Sequence, residues 1–261
     1  MATTSSPVFH AGEQAIQQRL GMRDRMERFG RPVVRNALPD QHREFYGQLP
    51  FIAVGHADPD GRPWASLLFG KPGFIDSPDP QSLRLKAQPL SGDPLANSLR
   101  QGQPLGMLGI EFHTRRRNRL SGRIRSASTE GIELAVDQAW GNCPQYIQTR
   151  ALVMTDAVPE SGSNVELLQR FNVRARQMIQ TADTFFVSSY VADDSNDVTH
   201  GVDVSHRGGR PGFVRIDDDQ TLTIPDYLGN YHFNTLGNIL VNPRAGPVPY
   251  TNLTLPTILR V

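Results

Sequence analysis

Residues 61–75 read GRPWASLLFGKPGFI and residues 200–214 read HGVDVSHRGGRPGFV. Set side by side, Ser66 falls on Ser205, Gly70 on Gly209, Lys71 on Arg210, and Pro72-Gly73-Phe74 on Pro211-Gly212-Phe213. The match runs on. Leu83 and Leu85 stand as far before Pro104 as Leu222 and Ile224 stand before Pro243. Upstream, LPFIAVGHADPDGRP corresponds to DTFFVSSYVADDSNDVTHG, with a few extra residues in the second turn. Two copies at so long a period mean a duplicated domain rather than a solenoid. The chain divides into an N-terminal helical segment, 1–48, a first copy, 49–160, and a second copy, 161–261.

Within each copy the pattern is β-rich. Residues 51–57, 63–69, 72–76, 82–87, 105–113 and 120–136 read as strands. Residues 184–192, 201–207, 212–216 and 221–224 repeat that order. PDG at 59–61 is a turn signal between two strands. Residues 13–31 read as one amphipathic helix with Ile16, Leu20, Met26 and Phe29 near one face, stopped by Gly30 and Pro32. Helices are also expected over 40–48, with Asp40 as its cap, over 93–101, and over 163–181. Short strands with tight turns and few helices predict a mainly β protein: a small antiparallel barrel, twice. After NPRAG the second copy gives PVPYTNLTLPTILRV, with three prolines and no alternation. Either the tail closes the barrel in an unusual way or the second barrel is incomplete and the chain truncated or frame-altered; truncation is the favoured expectation.

The two copies differ in chemistry. In the second, Ser205 and Arg207 alternate onto one strand face and His206 onto the other. Glycines 208 and 209 allow a bend that would return Arg210 to the Ser205 face. Two guanidiniums and a hydroxyl on one point suit a phosphate. A solvated strand end with surface arginines fits the same spacing. In the first copy the matching positions of His206 and Arg207 are Leu67 and Leu68. A second polar element, IPDYLGNYHFNTLGN over 224–238, enters a helix whose N-terminus would add anion donors. Tyr227, Tyr231 and Phe233 suit a flat aromatic ligand, and Asn230 and Asn234 suit its ring or ribityl oxygens. The alternative is a capped helix with core aromatics. The first-copy equivalent, AQPLSGDPLANSLRQ, has neither aromatic nor histidine. That both polar elements occur in one copy and are missing from the other favours a ligand.

GVDVSHRGGRPGFV followed by LTIPDYLGNYHFNTLGNILVNPRAG resembles the pyridoxamine 5′-phosphate oxidase-like, FMN-binding split-barrel family, in its tandem-barrel branch. Some members of that branch are fused to a flavin reductase and a ferredoxin-like module. The resemblance spans most of 10–246 and is most specific over 200–246. It implies two tandem antiparallel split barrels with short flanking helices, homodimers, and flavin at an interface. It implies that Ser205, Arg207 and Arg210 hold the FMN phosphate or ribityl chain. Pro225, Asp226, Tyr227 and Asn230 would line the flavin, and Asn234 would lie near the phosphate. His206 is included with alternation against it. The implied activity is an oxidoreductase passing electrons from a nicotinamide or small-molecule donor to oxygen or a reductase partner. The alternatives are haem or deazaflavin in the same fold, with His206 or His232 relevant to haem, or a non-catalytic flavin-binding or dimerisation module. No residue is forced as acid or base; Tyr227 and His232 are the candidates.

Other signals point to no further chemistry. HTRRRNR, 113–119, reads as a solvated hairpin, with a cofactor contact as second reading and nucleic acid as third. A net charge of +1 gives no field for nucleic acid or membrane. The seven histidines show no metal-ligand spacing. The lone cysteine, Cys143, precludes an internal disulfide and suits a reducing compartment. No apolar run reaches the ~20 residues of a membrane span, and MATTSSPVFHAGEQ has no signal-peptide pattern. The expected location is the cytoplasm, without nucleic-acid or membrane partners.

Overall fold

The computed structural model describes residues 7–153, 168–191 and 197–250. Three helices open the chain. Helix α1, Ala11–Arg19, starts in a capping box: His10 accepts the Gly12 N–H, and Glu13 accepts the His10 N–H at 2.9 Å. The single helix expected over 13–31 is two. Gly21, at φ +65°, turns the chain out of α1, and α2 runs Arg23–Val33. The break rotates the apolar face expected to be continuous. Met26 is buried, while Leu20 and Phe29 are exposed. Helix α3, Asp40–Gly47, is capped at Pro39, which makes Asp40 its first residue rather than its cap.

The first copy forms a seven-stranded antiparallel sheet. Its strands are β1 (Phe51–Ala57), β2 (Pro63–Phe69), β3 (Ile75–Asp76), β4 (Ser82–Leu85), β5 (Pro104–Glu111), β6 (Arg116–Ser128) and β7 (Gly131–Gly141), in the order β2-β1-β5-β6-β7-β4-β3. The stretch expected as one strand over 120–136 is the body of the β6–β7 hairpin. A 3-10 turn, Pro94–Ser98, stands where a short helix was expected.

After α4 (Val173–Thr181), the second copy repeats the start of the first. Strands β8 (Thr184–Tyr190) and β9 (Val202–Gly208) pair as β1 and β2 do. Val187 faces Ser205 just as Val54 faces Ser66. The short pair β10 (Arg215–Ile216) and β11 (Leu222–Thr223) repeats β3–β4. Helix α5, Asn234–Val241, takes the place of the 3-10 turn. The turn between strands is repeated in its hydrogen bonds. Gly70 N–H bonds to Pro50 O and Gly209 N–H to Asp183 O, and in each copy the PGF phenylalanine ring lies against that glycine.

The tail, expected to lack a strand, begins with one. β12 (Gly246–Tyr250) pairs antiparallel with β8, as β5 pairs with β1. Its prolines, 247 and 249, are two apart, so both nitrogens face the same edge. A strand carries them only where that edge makes no ladder bond. Residues 251–261, and 163–167 of the helix expected over 163–181, lie outside the described residues.

The fold is mainly β, antiparallel and barrel-like. Strand alternation explains where the core sits. Ile52 and Val54 point into the first copy's cluster with Leu68, Leu83 and Leu134. Phe51 and Ala53 point the other way, into a cluster shared with Phe186, Val204 and Val248 of the second copy. Both faces of β1 are thus buried, and apart from His56 its sequence is apolar or glycine. The copies meet closely at Gly55 and Gly106, which face each other in register across β1 and β5. A Cβ on Gly106 would lie 2.4 Å from Val202 O, and one on Gly55 2.9 Å from Asp203 O. No helix among the described residues is long and apolar enough to cross a membrane.

Candidate functional site

A cleft of about 750 Å³, counted with its open mouth, lies where the copies meet. β9 and the start of α5 form one wall. The start of β6 and the segment after β7 form the other.

The second-copy wall holds most of the residues read from sequence. Ser205 is buried, and its hydroxyl lies 2.9 Å from Asp203 Oδ2 and 2.6 Å from Thr235 Oγ1. Arg207 donates to Asp226 Oδ1 at 2.9 Å. Pro225, Asp226, Tyr227, Asn230 and Asn234 all line the cleft. His206 lines the cleft as well, although alternation turns its ring toward the other face of β9. Its ring sits in the apolar cluster between the copies, edge-on to Phe112 and Phe186. Burial first, then Arg117, keeps its pKa well below the usual imidazole range, so it is neutral. Arg210 does not swing back. It is exposed and does not line the cleft, because the turn closed by Phe213 N–H to Arg210 O leaves it at the outer corner. Lys71, its first-copy match, is likewise exposed. His232 lies off this cleft, edge-on to Phe9 and Phe29.

The first-copy wall is where the sequence reading falls short. The hairpin read as solvated is solvated only at its tip. Arg115 and Arg116 are exposed, but Arg117 and Arg119 are buried and line the cleft. Two residues apart on β6, they share a face. Arg119 donates from Nη1 to Asp203 Oδ1 at 2.8 Å and to Asn234 Oδ1 at 3.2 Å. Arg117 has no carboxylate partner among the described residues. It donates to the carbonyl of Cys143 and contacts His206 Nδ1 at 3.3 Å. Burial pushes its pKa down to about 9, and repulsion from Arg119 and Arg207 adds to this. Thr235 and Asp203 were also missed as site residues, although Asp203 stands within the quoted motif.

The mouth is aromatic and held from both sides. The rings of Tyr146 and Tyr227 lie 5.0 Å apart, and Asn230 donates to Asn142 at 3.1 Å. Of the four non-glycine residues at positive φ among those described, three line this cleft: Tyr146 at 66°, Tyr231 at 60° and Phe233 at 61°. Such conformations cost roughly 1–3 kcal/mol each and gather at ligand sites. Helix α1 braces the strained loop, with Gln17 Nε2 donating to Tyr231 O at 3.2 Å. α5 then begins without a side-chain cap, which leaves its first-turn N–H groups for a ligand or solvent.

The matching position in the first copy is filled by its own side chains. Ser66 donates to Asp93 Oδ1 at 2.6 Å, and His56 bridges Ser66 at 3.1 Å and Ser98 at 2.9 Å. All four are buried.

No protein-family model and no curated protein matches the chain. Among solved structures it is similar to a tagged HupZ variant from Group A Streptococcus, at 10% identity, over 40% of this chain and 98% of that one, with a TM-score of 0.31. Nothing further rests on that likeness.

Proposed function

We propose that the chain is an FMN-binding flavoprotein of the pyridoxamine 5′-phosphate oxidase-like type, a tandem split barrel with one flavin site between its copies. The observation that carries this reading is Arg117, a buried guanidinium that bonds to no carboxylate among the described residues, beside an aromatic wall in one cleft. Buried charges are normally paired. Three guanidiniums, Arg117, Arg119 and Arg207, meet two carboxylates, Asp203 and Asp226, so the site favours an anion. The residues fit FMN: Arg117, Arg207 and the first turn of α5 for phosphate, Tyr146 and Tyr227 for the ring, Asn142 and Asn230 for polar edges. Bound flavin would supply the redox chemistry, taking hydride from a nicotinamide or small-molecule donor and passing electrons to oxygen or a reductase partner. The chain's part is to hold, orient and shield. Both walls of the described cleft come from one chain, and the homodimer that the resemblance implies is a further part of this proposal.

The test is the absorption spectrum of the purified protein, repeated after adding FMN and desalting. A retained two-band flavin spectrum supports the reading. A Soret band would replace FMN with haem, and a shifted single band with a deazaflavin. A protein that stays colourless after FMN addition would make the chain a non-catalytic module.

A further inference from the structure

Outside the cleft, positive charge gathers on α2. Residues 19–35 hold six arginines, Arg19, Arg23, Arg25, Arg28, Arg31 and Arg35, against two carboxylates, Asp24 and Glu27, and no lysine. All six arginines are exposed. Glu27 is taken up by Arg31 at 2.6 Å. Arg25 and Arg28 have no carboxylate partner among the described residues.

This placement works against the helix itself. Arg23 and Arg25 lie in the first turn, where the helix dipole disfavours cations, and α2 starts without a side-chain cap. Arg25, Arg28 and Arg31 follow one another at three-residue spacing, where like charges repel. Phe29, 53% exposed, sits among them, one turn from Arg25 and beside Pro32. Leu20, 55% exposed, precedes the helix. The inner side is firmly held. Gly30 packs against Phe9, whose ring would lie 2.8 Å from an added Cβ, and Arg35 exchanges two backbone hydrogen bonds with Ala139 of β7. Arginine and aromatic side chains without lysine, on a fixed support, are the composition of a protein-binding surface. The Phe29 ring also reaches inward to His232, 6.2 Å between centroids, and the neighbours of His232, Tyr231 and Phe233, line the cleft. This face therefore abuts the loop that shapes the site.

Two other occupants fit less well. A nucleic-acid backbone would meet Asp24 and Glu27 inside the patch, and a net charge of +1 adds no wider field. A membrane surface calls for a broad apolar face, and Met26 and Gly30 of α2 are buried against the protein. We propose that the outer face of α2 docks an acidic protein surface, with carboxylates against Arg25 and Arg28 and an apolar side chain against Phe29. The proposal does not rest on the flavin reading.

The probe is a fluorescein-labelled peptide of glutamates flanking a tryptophan and a leucine, titrated with the full chain at pH 7 and low salt and read by fluorescence anisotropy. Saturable binding is expected, weakening as sodium chloride is raised. Arg25→Glu with Arg28→Glu should weaken it about tenfold or more, and Phe29→Ser roughly threefold. Lys71→Glu with Arg210→Glu makes the same change of charge on exposed residues elsewhere and should leave binding within about twofold. No saturable binding overturns the proposal. So does an equal loss in that charge-matched control, or undiminished binding of the peptide with glutamine for glutamate. Tighter binding of oligothymidylate or of phosphatidylglycerol vesicles through the same arginines also overturns it. Should Arg25→Glu with Arg28→Glu fail to fold, Arg25→Gln with Arg28→Gln is the second variant and should lose roughly fivefold.

Discussion

Arg119 of the first copy donates to Asp203 of the second at 2.8 Å, with both side chains buried, and so ties one copy's β6–β7 hairpin to strand β9 of the other. Removing one partner of such a pair strands the other charge. Arg119→Met and Asp203→Asn should each lower stability by about 3–5 kcal/mol, and the double variant by clearly less than their sum. Urea denaturation of the four proteins gives the coupling. Strict additivity would show that the pair does not act as a unit.

Arg117 should matter to FMN and Arg210 should not. Losing a charge-assisted donor costs about 1.5–3 kcal/mol, so Arg117→Ala should weaken FMN binding roughly tenfold to a hundredfold. Arg210→Ala and Lys71→Ala should leave it within about twofold, because both side chains point to solvent. Flavin fluorescence titration ranks them, and equal losses at positions 117 and 210 would remove the first-copy wall from the site.

Stability should peak near neutral pH. His10, His56 and His232 have pKa values lowered from 6.5 to about 4 by burial. Below 6.5 the unfolded chain takes up protons that the native chain refuses, so stability falls as pH drops toward 4. Glu13 works in the other direction. Its pKa is raised from 4.5 to about 8, so between those values the native chain holds a proton the unfolded chain has lost, and stability falls as pH rises. Three histidines outweigh one glutamate on the acid side, which puts the maximum near pH 6.5. Glu13→Gln should flatten the alkaline limb in urea midpoints taken across this range. An unaltered limb would reject Glu13 as its source.

Gly106 sets how closely the copies approach. A methyl there meets Val202 O at 2.4 Å, which is backbone and cannot swing aside. Gly106→Ala should cost about 1–3 kcal/mol by overpacking and weaken FMN binding, since Asp203 adjoins the point of contact. A melting temperature equal to that of the parent protein would mean the sheets separate without strain.

The repeat and the second-copy wall were legible because both lie in continuous sequence. Alternation along 202–208 was enough to put Ser205 and Arg207 on one face and His206 on the other. The opposite wall was not legible, because Arg117 and Arg119 sit almost ninety residues away and the same RRRNR run also contains the exposed Arg115 and Arg116. Their i, i+2 spacing next to Leu120 was the available signal, and it required starting the strand at Arg116. Arg210 was misplaced because glycine tells where a chain can turn and not which way. Gly21 was missed for the converse reason: a helical pattern continued across it while its backbone took a left-handed turn. Thr235 becomes a site residue only through the tertiary contact of α5 with Ser205 on β9.

A cleft whose two walls belong to one polypeptide has no assembly equilibrium of its own. Between separate subunits, dilution opens such a cleft and releases its cofactor. Here the walls are covalently joined, so their effective concentration is fixed by the chain and not by how much protein a cell makes. Under the proposed function, duplication relieves one copy of the binding task, and the closed His56–Ser66–Asp93 knot is what that freedom looks like in a side-chain interior.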